Sequence, residues 1–427
     1  MAAISSVTLG CRLNIVESEA MRDAARAAGL SGLTIINTCA VTAQAMRQSK
    51  QAIRRAKRDA PGHAIAVTGC AAEIDPDAFA AMPEVDALVG NARKSEAAAW
   101  QALRAVPAFA RARKSADAPT AVATRGGHTR AFVQIQNGCD HRCTFCIIPF
   151  GRGDSRSREV GEIIAEICSL TDGGHAEIVL TGVDITSYAG AGGETVAALV
   201  RAILDRCDGV RRLRLSSIDC AEIDLDLLGE ALRDPRFMPH LHLSLQSGDD
   251  MILKRMKRRH NRNDAIQFCA GLRKARPDLV FGADFIVGFP TETEAMFART
   301  LGLVAECGLT HLHVFPFSPR PGTPAARMPQ VAPALVKERA ARLRAEGGAR
   351  VNAHLRGQVG KRLTLLMERG GIGRAPDFSP VRVEGLAPGT FAEVDVTGLE
   401  GPQLLGRPAS RIPTANPACA PEAALVP

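Results

Sequence analysis

Aromatic side chains are scarce in this 427-residue chain: one Trp, one Tyr and 15 Phe make up 4% of it. A broad base-stacking platform for single-stranded RNA is therefore not expected, and packing must rest on Ala, Leu, Val and Ile. No apolar run approaches the roughly 18 residues of a membrane helix. The opening "MAAISSVTLG" has neither the basic start nor the apolar stretch of a secretory signal. These absences point to the cytoplasm and away from a membrane. The glycine clusters "GAGGE" and "GGIGRAP" lack a strand–GxGxxG–helix context, which excludes a dinucleotide fold. No Ser–His–Asp set and no pair of carboxylates presents itself. In a reducing compartment, 12 Cys argue against a disulfide framework and for metal or redox chemistry.

What is present is a chain that can build a large core, 46% hydrophobic and 23% charged, with length for about three domains. An excess of 53 Lys+Arg over 45 Asp+Glu, a net +8, favours a polyanionic partner. Strand and helix patterns alternate over the first hundred residues. Strands are expected at 6–10, 33–38, 63–69 and 85–90, with helices at 14–29 and 43–60. Such alternation predicts a parallel sheet with right-handed crossovers, an N-terminal α/β domain over 1–106. Residues 107–130, rich in Ala, Pro, Gly and basic side chains, read as a linker. Six further strand–helix units follow, with strands at 131–136, 176–182, 211–217, 240–246, 279–288 and 310–317. They predict an open (β/α)6 barrel over 131–350 with its chemistry at the C-terminal strand ends. A charged helix at 333–355 leads into short strands with Gly-rich turns, a small antiparallel β-barrel over 351–410, and then a flexible tail, 411–427.

The stretch "GCDHRCTFCIIPFGRG" places Cys139, Cys143 and Cys146 in a C-x3-C-x2-C spacing where the first barrel strand ends. Structural zinc wants four protein ligands, whereas three thiolates suit an iron–sulfur cluster with one iron open to a small molecule. A zinc knuckle completed by His141 or by a distant residue is the alternative. A second set, Cys11, Cys39 and Cys70, falls just after three predicted strands, so the three thiols can converge along one sheet edge. Cys168, Cys207, Cys220, Cys269, Cys307 and Cys419 lack such placement and read as core or incidental.

The C-x3-C-x2-C motif with Phe145 before its last cysteine resembles the radical S-adenosylmethionine enzymes. That resemblance implies a 4Fe–4S cluster whose open iron is chelated by S-adenosyl-L-methionine, and reductive cleavage of the cofactor to a 5′-deoxyadenosyl radical. With the second cysteine set and the C-terminal barrel, the chain from about 5 to 410 resembles the methylthiotransferases, whose plan ends in a TRAM domain. The resemblance implies an auxiliary 4Fe–4S cluster at Cys11, Cys39 and Cys70, hence two clusters, and conversion of C–H to C–S–CH3. An external electron donor and a sulfur source are implied as partners.

The motifs "NTCAVT", "CTFCIIPFGRGDSRSR", "LHLSLQSGDDMILKRMKRRH" and "FPFSPRPGTPAARMP" are most similar to the branch acting on N6-threonylcarbamoyladenosine beside the tRNA anticodon. The branch modifying a ribosomal-protein aspartate is the first alternative; a non-catalytic metal-containing RNA-binding protein is another. The Cys11–Cys39 interval is short for the family, and Asp184 stands where Asn is expected. Basic runs at 47–58, 111–114, 254–260 and 337–356 support a tRNA partner through phosphate contacts. Phe145, Thr181, Gly182, Gln246, Val287 and Gly288 are candidates to line S-adenosylmethionine, from strand position and resemblance. Arg156 and Arg158 face either substrate or the cluster surroundings.

Overall fold

The protein is described from a computed structural model that covers residues 4–109, 129–221 and 223–409. The expected tail, the basic run at 111–114 and most of the expected linker lie outside these residues. The chain divides into two compact units, Met1–Gly348 and Ala349–Pro427.

The first unit opens with four parallel strands in sequence order, β1 (Ile4–Thr8), β2 (Leu33–Thr38), β3 (Ala64–Gly69) and β4 (Ala87–Leu88). Every residue of β2 and β3 is buried, as expected for parallel strands covered on both faces. Helix Arg12–Ala27 lays Leu13, Glu17, Met21 and Ala25 onto the sheet, a stripe with i, i+4 spacing that contains one carboxylate. Phe109 corrects the linker reading at its start: it is fully buried in the same core as Trp100, Leu33 and Ile35. An Ala-rich composition masked a single aromatic anchor.

The next six strands run in sequence order as two parallel sheets. One holds β5 (Ala131–Gln134), β8 (Glu177–Thr181) and β9 (Arg212–Leu215); a short pair, β6 (Gln136–Asn137) and β7 (Arg156–Ser157), lies between β5 and β8 in the chain. The other holds β10 (His240–Gln246), β11 (Val280–Val287) and β12 (Leu309–Pro316). A parallel bridge between Ile218 and Leu243 joins the two, with the Ile218 amide donating to the His242 carbonyl at 2.9 Å. The result is the open six-stranded partial barrel expected from the alternation. Helices such as Val160–Asp172, Val196–Arg206, Arg262–Ala275 and Glu294–Glu306 cover its outside and share one apolar core with the strands. Cys207, Cys220, Cys269 and Cys307 are buried in that core and Cys168 packs against it, as ordinary small apolar residues do.

In the second unit β13 (Arg362–Met367), β14 (Ile372–Arg374), β15 (Pro380–Arg382), β16 (Phe391–Glu400) and β17 (Gln403–Pro408) close into a barrel in the order β13-β14-β15-β17-β16. The short β14 and β17 were not anticipated, because each carries a glycine and little alternation. The pairing is antiparallel except between β15 and β17, which run parallel. His354, on the preceding helix, is held to Asp377 at 2.8 Å and ties the helix end to this barrel.

Phe281 on β11 is wholly buried in the partial-barrel core. Phe281→Ala is expected to cost about 3–5 kcal/mol of unfolding free energy, read as a lowered urea midpoint, whereas exposed Glu230→Ala should change it by less than about 0.5 kcal/mol.

Candidate active site

The parallel register explains why the first three cysteines fall on one sheet edge. Thr38 pairs with Gly69, so Cys39 and Cys70 follow neighbouring strand ends directly, and Cys11 follows β1 on the same edge. Two glycines make the approach possible. Gly10 has φ +96°, and a Cβ there would come within 2.8 Å of the Cys39 sulfur. Gly69 has φ +95°, and its Cβ would lie 2.5 Å from the Thr38 backbone, so only glycine can turn the chain here into the short helix that starts at Cys70. Burial pushes the Cys39 and Cys70 thiols up, and each feels the charge of Cys11.

The second set sits in the loop after β5. The loop is fastened at Thr144, whose amide donates to the Met256 carbonyl at 3.1 Å and whose carbonyl accepts from the Ala325 amide at 3.0 Å. Burial pushes Cys139 up to about 11 and Cys146 up to about 12, and the neighbouring thiols add to it. Burial disfavours the bare thiolates of Cys39, Cys70, Cys139 and Cys146, and a metal centre that took them as thiolates would offset it. Two triads of soft donors fit an iron–sulfur cluster each. Of the zinc-knuckle set, the structure places His141 together with Cys139 and Asp184, and His141 Nε2 lies 2.5 Å from Asp184 and 3.1 Å from Ser187.

A buried ion network joins the two cysteine loops. Arg152, six residues after Cys146, reaches into the N-terminal domain and donates to Glu17 at 2.8 and 3.1 Å and to Asn14 at 2.6 Å. Lys94 donates to the other side of Glu17 at 2.5 Å. All three charged groups are buried. Burial works against the Glu17 carboxylate, but Arg152 and Lys94 more than offset it and hold it below its ordinary range. Gly151 packs on Cys70: a Cβ there would be 3.1 Å from the Cys70 Cβ. The sequence offered one signal for this network, a Glu on the apolar face of a helix.

Between the two loops lies a cavity of about 240 Å³. Val41 and Thr42, just past Cys39, form one wall; Phe145, Cys146 and Ile148 form another; Gln246, Asp284, Ile286, Phe315 and Phe317 complete it. Of the six residues expected around S-adenosylmethionine, Phe145 and Gln246 line this cavity. Gln246 does so at the end of β10 with φ +67°, a left-handed backbone uncommon for a side-chain-bearing residue. Thr181 and Val287 are instead buried residues of their strands, Gly182 packs on Gln136 and Ile185, and the Gly288 amide donates to Glu292 at 2.9 Å. Arg158 is a tie within the barrel, donating to the Gln134 carbonyl and to Glu166, while Arg156 is exposed on β7.

Asp284 is a site residue the sequence reading missed, although a carboxylate inside the apolar strand 279–288 was a visible signal. His242 and His313 hold its Oδ1 from both sides, at 2.9 and 3.1 Å. Burial pushes Asp284 up, but these two imidazoles more than offset it and hold the group at about 2. A second such carboxylate supports the radical loop. Asp219 takes Arg258 at 2.5 Å and His260 at 3.2 Å, and Arg258 Nη1 lies 3.8 Å from the Cys143 sulfur. Arg258 and His260 belong to the basic run at 254–260, so part of that run is spent inside the protein rather than on a phosphate-facing surface.

Burial pushes Asp219 up as well, and His260 and Arg258 bring it down to about 2. An aspartate whose folded value is depressed stabilises the fold above its unfolded value, near 3.9, and loses that contribution as pH falls through about 2. Asp219→Asn is therefore expected to lower stability at pH 7 by about 3–5 kcal/mol, through the unpaired Arg258. It should also flatten the loss between about pH 5 and pH 2.5, read from urea midpoints across that range.

Comparisons with known proteins agree with this geometry. Residues 133–304 match the Radical SAM superfamily model and residues 3–90 match Uncharacterized protein family UPF0004. The chain is 46% identical to "Threonylcarbamoyladenosine tRNA methylthiotransferase MtaB" of Rickettsia prowazekii (strain Madrid E), over 92% of this chain and 94% of that protein. It is 35% identical to "tRNA-2-methylthio-N(6)-dimethylallyladenosine synthase" of Jannaschia sp. (strain CCS1), over 94% and 92%. Among solved structures, the radical S-adenosylmethionine methyltransferase TsrM from Kitasatospora setae superposes with a TM-score of 0.55 at 14% identity, over 76% of this chain and 77% of that one, a likeness of fold alone. With such identity across almost the whole length, this chain belongs to the radical S-adenosylmethionine methylthiotransferase family.

Proposed function

We propose that the protein is a tRNA methylthiotransferase that places a methylthio group on carbon 2 of N6-threonylcarbamoyladenosine beside the anticodon. The observation that carries this reading is the cavity bounded on one side by the Cys146 loop and on the other by the Cys39 loop. A base held there stands between the two cysteine sets, as a reaction needing both would require. The 46% identity to a relative named for threonylcarbamoyladenosine, against 35% to one named for dimethylallyladenosine, favours the first base.

In this reading Cys139, Cys143 and Cys146 hold one 4Fe–4S cluster and Cys11, Cys39 and Cys70 a second. S-adenosylmethionine bound beside the first would supply the radical for the C–H bond, with electrons from an external donor and sulfur from an outside source. The protein's own groups bind and orient. Phe145 stands edge-on to Phe289, centroids 6.5 Å apart, and makes a rigid wall beside the radical loop. Ile286, Phe315 and Phe317 keep the cavity apolar and exclude water. Asp284, ionised and fixed by two imidazoles, is an acceptor for ribose hydroxyls, and Gln246 is an adaptable partner next to it. Arg47, Arg54, Arg55 and Arg58 are exposed along the helix Ala43–Asp59, just beyond Thr42 on the cavity wall, and suit the phosphates of a bound RNA.

The test is mass spectrometry of tRNA nucleosides from a host lacking this gene, with and without its restoration. The 2-methylthio derivative of N6-threonylcarbamoyladenosine is expected only on restoration, and neither Cys143→Ala nor Cys39→Ala should restore it. Each of those variants should hold about four irons per chain where the unsubstituted protein holds about eight. Unchanged tRNA in the restored strain would overturn the substrate, and ribosomal-protein digests would be examined next.

A further inference from the structure

Arg320 stands out because nothing neutralises it. It is only 6% exposed, and its Nε is buried with no hydrogen-bond partner among the described residues. No described carboxylate forms an ion pair with it. Burial works against its charge, and Cys39 is the anionic group that acts on it in return. Its loop is tied to the cysteine edge: the Ala43 amide donates to Ser318 Oγ at 3.1 Å, and Ser318 lines the same cavity as Val41 and Thr42.

A buried Nε–H without an acceptor costs free energy, so the fold keeps it for something. The charges around the N-terminal cysteines show what is missing. On the far side Lys94 and Arg152 share one acid, Glu17. With Arg320 added, three buried cations stand against one carboxylate, a surplus of two positive charges. Three thiolates on an oxidised 4Fe–4S core, itself +2, carry a net −1, and the reduced form carries −2. The surroundings are matched to the more negative state.

We infer that Arg320 is a positioning residue that acts as the counter-charge of the metal centre held by Cys11, Cys39 and Cys70, and raises its reduction potential. The inference rests on the reading that these three cysteines hold a cluster. Arg152 is anchored by Glu17 and serves the fold as well; Arg320 has no such anchor, so its charge acts on the centre alone.

The experiment uses the full chain carrying Cys139→Ala, Cys143→Ala and Cys146→Ala, which leaves only the N-terminal set, loaded anaerobically with iron and sulfide and titrated under electron paramagnetic resonance. Arg320→Gln is expected to lower the midpoint enough to cut the reduced fraction about tenfold at a fixed potential, about 59 mV for one electron. Arg320→Lys should stay near the unsubstituted value. Should Arg320→Gln lose the cluster, an Arg320→Lys protein that keeps both iron and midpoint still supports a charge role. An unchanged midpoint in Arg320→Gln, or loss of iron in Arg320→Gln and Arg320→Lys alike, would overturn the inference. A parent chain that binds no iron at all would instead sink the second-cluster reading, and this inference with it.

Discussion

The contact between Arg152 and Glu17 holds the working parts of this protein in one frame. It joins groups 135 residues apart in the chain, deep in the first unit, with both side chains almost wholly removed from water. Removing either partner would leave an uncompensated charge in a low-dielectric interior, so the pairing is all or none. Its consequence is positional. Arg152 ends the short helix that follows Cys146, and Glu17 lies one and a half turns past Cys11 on the first helix. The two cysteine loops are thus joined by charge as well as by packing of Gly151 on Cys70.

The cavity follows from that frame. Its apolar walls come from the radical loop and from β11 and β12, and its polar atoms are few: Gln246, Asp284, Thr42 and Ser318. Asp284 is the one carboxylate lining it, and two histidines on the flanking strands fix both its charge and its rotamer. Such a site resembles other ligand clefts, with a mostly apolar lining and a small number of orienting groups. The surplus of positive charge lies elsewhere, around the N-terminal thiols, where burial alone would keep them protonated and a metal centre would need them as thiolates.

Much of the fold, and the strand-end placement of Cys11, Cys39 and Cys70, was legible in the chain. A parallel α/β alternation carries its geometry in its order, because every loop after a strand leaves from the same edge. Cysteines at three consecutive strand ends therefore share that edge whatever the intervening helices contain. The C-x3-C-x2-C spacing is likewise local. Less legible were the short strands β14 and β17, where glycines blur the alternation, and Phe109, hidden in a linker-like composition. The basic run at 254–260 misled in part: charge counted along the chain does not show that Arg258 and His260 turn inward to Asp219.

The order of elements, the two thiol triads and the chemistry they can support were set by residue type and spacing, which local sterics and backbone pairing translate directly into structure. Which buried charges find partners was decided by packing: Glu17 with Arg152 and Lys94, Asp284 between His242 and His313, Arg320 with no carboxylate among the described residues. Those pairings join strands and loops distant in sequence. A charged side chain reads the same in the chain whether water, a carboxylate or a metal centre will face it, and only the folded surroundings fix which of these it meets.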